Sequence, residues 1–293
     1  MIPKEVLAQI RRIHIVTSRM VTDVFAGRYQ SVFKGRGIEF DEVRQYFVGD
    51  DVRCIDWNVT ARTGIPYVKK FVEERELTVV LILDLSPSSY FGTAEKLKRQ
   101  LATEICSLLT FSAMQNNDKV GLLIFTDQVE KFVPPRKGVR HGMRILREAL
   151  YFQPKGRGTD ISQALEYFNK VCRRKTISFI ISDFYAQGFE KPLSIANKHH
   201  DIIAVILTDP REIELPNVGI VSLNDPESGE KFLIDTSNPK VRERFYRKAK
   251  EIRENRKKIF SRLGIDTIDV RTDVPYAKAL FLFFRRREKR RGR

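Results

Sequence analysis

Four stretches of this chain are apolar at nearly every position, and this limits its fold more than any other feature. They are LTVVLIL (77–83), KVGLLIF (119–125), TISFIIS (176–182) and IIAVIL (202–207), followed by a weaker VGIVSL at 218–223. A strand with one wet face alternates apolar and polar residues. A strand covered on both faces does not, and such strands belong to parallel sheets held between helices. Between the runs, Leu97, Leu101, Ile105 and Leu108 recur at helical spacing, as do Val139, Met143, Leu146 and Leu150, and then Ile161, Leu165 and Phe168. Each set describes one apolar stripe on a helix. The alternation predicts an α/β fold with a doubly wound, mostly parallel sheet. VEKFVPP (129–135) directly after the second run reads as an antiparallel edge strand, because Pro134 and Pro135 suit an edge and not a centre.

The flanks read differently. Residues 1–76 form a small N-terminal module: an amphipathic helix around 3–26 (Val6, Ile10, Ile13), then a Gly- and charge-rich stretch with no helical period. Residues 77–284 form the α/β domain, ending with a long basic helix on which Val241, Phe245, Ile252, Ile259 and Leu263 share a face. Residues 285–293 form a basic tail.

The chain carries 53 Lys and Arg against 37 Asp and Glu, a net charge of +16. Residues 242–262 contribute +7 and residues 285–293 contribute +6, so the excess lies at the C-terminal end and the body is nearly neutral. The tail FLFFRRREKRRGR combines aromatics with positive charge. It suits peripheral contact with an anionic membrane surface, or alternatively a solvated end, and nucleic acid is the weaker partner for a body so close to neutral. Three widely spaced cysteines, Cys54, Cys106 and Cys172, fit a reducing compartment. With no leader-like start and no run near 18 apolar residues, the expected location is cytoplasmic.

Candidate chemistry sits at the ends of the apolar runs, where open α/β sheets bind ligands. Asp84-Leu85-Ser86-Pro87-Ser88 follows the first run, Gly156-Arg157-Gly158-Thr159-Asp160 precedes a helix, and Ser182-Asp183-Phe184 closes the third run. Asp84, Ser86 and Ser88 on one tight loop can aim three oxygens at one point, which suits a hard cation such as Mg²⁺. Each loop also has a plainer reading. Ser86 and Ser88 would cap a helix beginning near Thr93, Thr159 or Asp160 would cap the helix starting at Ile161, and Asp183 would sit in an ordinary turn.

Together the three loops resemble the metal-ion-dependent adhesion site of von Willebrand factor A domains, whose fold is Rossmann-like. The resemblance implies that Ser86, Ser88 and Thr159 offer hydroxyl oxygens to Mg²⁺, or to Mn²⁺ in its place, with Asp84 and Asp183 acting through bound water. It also implies an open coordination position that a partner protein's acidic residue fills. Many such domains carry Gly after the third-loop Asp. Here the residue is Phe184, and a narrower site is the expected result. Upstream, Gly35-Arg36-Gly37-Ile38-Glu39-Phe40, then Arg44-Gln45-Tyr46, then Gly49-Asp50-Asp51-Val52-Arg53-Cys54-Ile55-Asp56-Trp57 and Ala61-Arg62 are similar to the signature of the bacterial family called domain of unknown function 58. That resemblance implies a von Willebrand A-like domain after the signature and a partner among AAA+ ATPases of the MoxR type. The signature's arginines and acids are expected to form partly buried ion pairs, with Trp57 as an apolar anchor.

The first functional expectation is therefore a non-enzymatic, Mg²⁺-dependent protein-interaction adaptor. The alternatives are a phosphatase-like hydrolase with Asp84 as nucleophile, and a basic-tail binder of nucleic acid or membrane. The hydrolase wants a second acid two residues after its nucleophile, where this chain has Ser86. No GxxxxGK[ST] phosphate loop is present.

Overall fold

A computed structural model describes residues 39–72, 76–224 and 229–291. The expected helix at 3–26, residues 35–38 of the signature and the last two residues of the tail lie outside this set. The described chain begins with β1 (Glu39–Gln45), which pairs antiparallel with β2 (Tyr67–Val72). Between them, α1 (Trp57–Thr63) starts at Asp56, whose carboxylate accepts from the Asn58 and Val59 amides, and ends at Gly64 in the left-handed region. Arg44 grips Asp50 with two hydrogen bonds of 2.9 and 2.8 Å. This ion pair is partly buried, as the signature led one to expect. Arg53 and Asp51 pair in the open, and Trp57 is 69% exposed, so it anchors nothing.

The apolar runs become β3 (Thr78–Asp84), β4 (Lys119–Phe125), β6 (Ile177–Ser182) and β7 (Asp201–Thr208), and VEKFVPP becomes β5 (Val129–Arg136). With β10 (Asp266–Arg271) they make a six-stranded sheet in the order β10-β7-β6-β3-β4-β5, parallel throughout except for β5 at its edge. Helix α2 (Lys98–Gln115) and α3 (Val139–Tyr151) pack on one face, where Val79, Leu81 and Leu83 of β3 point. On the other, facing Val80 and Ile82, lie α4 (Ile161–Val171), α5 (Glu190–His199) and α6 (Pro239–Leu263). Covering both faces explains why the strands have no polar alternation.

Three expectations need correction. VGIVSL does form a strand, β8 (Ile220–Asn224), but it pairs only with β9 (Lys231–Asp235) in a separate hairpin. The sheet's sixth strand is instead β10, whose DTIDVR pattern buries Ile268 and Val270 and looks too polar for a centre because it lies at an edge. Finally, the FLFF segment belongs to α7 (Tyr276–Arg291), and Leu280, Phe283 and Phe284 are buried in the core beside α2. The boundary drawn at 284/285 thus falls inside a helix, and the aromatics expected at a membrane surface are spent on packing. Among the described residues, no helix is long and apolar enough to cross a membrane.

The loops at the carboxyl edge of the sheet are tied together by Asp209, which is fully buried after β7. Its carboxylate accepts from the Thr93 amide and hydroxyl, the Arg211 amide and the Thr272 hydroxyl. These bonds hold its pKa below the usual carboxylate value although burial opposes them. Asp209→Ala leaves these donors without a buried acceptor. It is expected to lower unfolding free energy by about 3 kcal/mol, measured as a shift of the urea midpoint at unchanged slope.

Candidate functional site

The chain leaves β3 toward β4 through α2 and leaves β6 toward β7 through α5, in opposite directions along the sheet. The carboxyl ends of β3 and β6 therefore flank the crevice where a doubly wound sheet binds its ligand. Asp84 ends β3, Ser182 ends β6, and Asp183 follows it. Ser182 Oγ donates to Asp84 Oδ2 at 2.6 Å, and the Ser86 amide donates to Asp84 Oδ1 at 2.9 Å. Ser86 Oγ and Ser88 Oγ share a hydrogen bond of 3.1 Å, and Ser88 Oγ donates to Asp183 Oδ2 at 3.0 Å. Four of the five expected ligand residues thus form one continuous hydrogen-bonded set.

The fifth, Thr159, is half-buried and reaches the same edge by another route. Its loop hangs on the end of β4: the Asp160 amide donates to the Thr126 carbonyl at 2.8 Å, and the Lys155 and Gly156 amides donate to Glu130. Gly156 is needed there, since a Cβ would lie 2.0 Å from Asp127 Oδ1. Asp160 also caps α4, accepting from the Gln163 amide, as the plainer reading expected. Ser86 and Ser88 cap nothing of the kind: Ser86 precedes a short 3₁₀ turn, Pro87–Tyr90, without a side-chain capping bond, and α2 starts only at Lys98.

Lys98 is the residue that sequence reasoning missed. It is 1% exposed, and its ammonium donates to Asp183 Oδ2 at 2.7 Å and to Glu212 Oε1 at 2.5 Å. Burial works against the charged form, but the two carboxylates outweigh it and hold the Lys98 pKa above its ordinary value. Glu212 is itself held by the Asp209 amide, which donates to its second oxygen at 2.8 Å. A signal was present: Lys98 shares a helical stripe with Leu101, Ile105 and Leu108, so a charged residue occupied a core position.

Asp84 is pushed up to about 6, first by burial and then by the charge of Asp183, against the bonds from Ser182 and Ser86. Arg256 of α6 donates to the Asp183 carbonyl from below. Phe184 adopts φ 55°, a conformation that favours glycine. Its ring turns into the core, 5.1 Å from Phe260 and 5.9 Å from Phe189. The expected narrowing is therefore absent, because the bulky side chain packs under the loop and not over the site.

The donor set can be tested against a hard cation. Magnesium demands near-octahedral oxygens at about 2.1 Å, which places neighbouring ligands about 3 Å apart. The Ser86–Ser88 hydroxyl separation of 3.1 Å is compatible with that edge, while Asp183 Oδ2 already accepts from Ser88 and Lys98, which suits contact with a cation through water. Among the described residues no three His, Cys, Asp or Glu side chains gather as a metal cluster, so any cation here depends on hydroxyls. His199 is the last residue of α5, and the ring of His200 after it bonds Thr176.

Lys98→Met would leave Asp183 and Glu212 buried without their shared cation. The expected cost is about 3–5 kcal/mol, read by urea unfolding.

"Uncharacterized protein Rv1480" of Mycobacterium tuberculosis and "Uncharacterized protein Mb1516" of Mycobacterium bovis are each 34% identical over 290 residues, covering 97% of this chain and 90% of theirs. Among solved structures, BatB from Bacteroides thetaiotaomicron overlays 73% of this chain and 99% of its own at 17% identity, with a TM-score of 0.45. An aerotolerance-related membrane protein from Bacteroides fragilis overlays the same shares at 14% identity, with a TM-score of 0.44. The model of the family described as "Protein of unknown function DUF58" matches residues 42–255, and the chain belongs to that family.

Proposed function

We propose that this protein is a non-enzymatic adaptor whose von Willebrand A-like domain uses an adhesion-type site, built from Asp84, Ser86, Ser88, Thr159 and Asp183, to bind Mg²⁺ or Mn²⁺ and capture an acidic residue of another protein. The observation that carries this reading is the convergence of Asp84, Ser86, Ser88 and Asp183 in one hydrogen-bonded set at the sheet's switch point. A bound divalent ion would supply a coordination position that a partner's carboxylate completes.

The hydrolase alternative lacks a second acid two residues after Asp84, where Ser86 stands. By family resemblance the partner is an AAA+ ATPase of the MoxR type.

Calorimetric titration of the full chain with Mn²⁺ is expected to give one site. The double variant Ser86→Ala/Ser88→Ala should weaken it at least tenfold, and Asp84→Ala should abolish it. Unchanged binding in all these variants removes the reading. Pull-down with a MoxR-type ATPase, expected with Mg²⁺ and lost with EDTA, tests the partner separately.

A further inference from the structure

The two stretches that supply 13 of the chain's net +16 charge, separated by 22 residues in sequence, become the facing walls of one cleft. Helices α6 and α7 and strand β10 border an open cleft of about 710 Å³, lined by seven Lys or Arg and three Asp or Glu residues. On α6, Tyr246, Lys250, Arg253 and Lys257 fall at spacings of four, three and four, which is one helical face. Arg286 and Arg290 look across from α7, again four residues apart.

Part of this charge is answered within the fold. Arg287 pairs with Asp201 and Asp266, Arg290 also reaches Asp266 at 2.9 Å, and Lys250 stands 3.9 Å from Glu254. Arg253, Lys257 and Arg286 are exposed, and among the described residues none of the three has an ion-pair partner. Like charges four apart on a helix are destabilising. Here Arg253 and Lys257 form such a pair on one wall, and Arg286, without an ion-pair partner, lines the same space from the other. An arrangement that costs the free fold stability is compensated when an anion occupies it. Guanidinium groups in particular match phosphate oxygens in pairs.

We propose that this cleft is a binding site for an anion carrying adjacent phosphoryl groups, supplied as a soluble oligophosphate. Its size is that of a small-molecule site, large enough for a nucleoside diphosphate, and the half-exposed ring of Tyr246 offers a face for a base. The inference stands apart from the cation site and needs no metal.

The test is titration of the full chain with sodium tripolyphosphate at physiological salt. One saturable site is expected. Arg253→Glu/Lys257→Glu should weaken it at least tenfold. Arg173→Glu/Arg174→Glu removes the same charge outside the cleft and should change it less than twofold. Both pairs are exposed, and circular dichroism confirms that each variant folds. Absence of saturable binding, or equal loss in the two double variants, overturns the proposal. Sedimentation with phosphatidylglycerol vesicles separates the sources of phosphate: binding confined to vesicles overturns the soluble ligand.

Discussion

The structure is organised around charges withdrawn from water at the switch point of its sheet. Asp84, Asp183, Glu212 and Lys98 are all buried or nearly so, and each stays there only because specific donors or counter-charges surround it. This requirement fixes many neighbours. Ser182 must end β6 to reach Asp84, α2 must begin at Lys98 to deliver the ammonium, and the turn after β7 must place Glu212 against it. Asp209 holds that turn to the loops carrying Thr93 and Thr272, so the whole carboxyl edge acts as a support for one electrostatic cluster. Four strands apolar on both faces supply the rigid floor beneath it.

Much of this was readable in the sequence. Continuous apolar runs announced buried parallel strands, and Pro134 and Pro135 marked the antiparallel edge. The Asp84, Ser86, Ser88 and Asp183 loops were found because ligand sites in such sheets lie beyond strand ends. What escaped notice has physical causes. β10 alternates because it is an edge strand with a single sheet neighbour, so its period carried no sign of a central sheet. Lys98 was passed over since a lysine is assigned to solvent by default, and its burial depends on carboxylates 85 and 114 residues away. Phe184 was read as an obstruction because side-chain size is visible in sequence while direction is not.

The basic C-terminal end shows the same limit. Composition located the charge correctly at 242–262 and 285–293, but it could not reveal that the two stretches face each other, nor that the aromatics between them are buried under α2. The apparent tail is a structural helix whose ion pairs with Asp201 and Asp266 fasten it to the ends of β7 and β10.

At the opposite edge of the sheet, the ring of Pro135 lies against Gly121 of β4, where a Cβ would come within 2.9 Å of it. A side chain at position 121 would meet that ring, so the close approach of β5 to β4 at this irregular point of the ladder depends on glycine. Adjacent residues of a strand aim their amides to opposite sides, so one of the two prolines removes a donor from the outer edge. A foreign strand therefore meets an interrupted ladder there, which guards the molecule against edge-to-edge polymerisation.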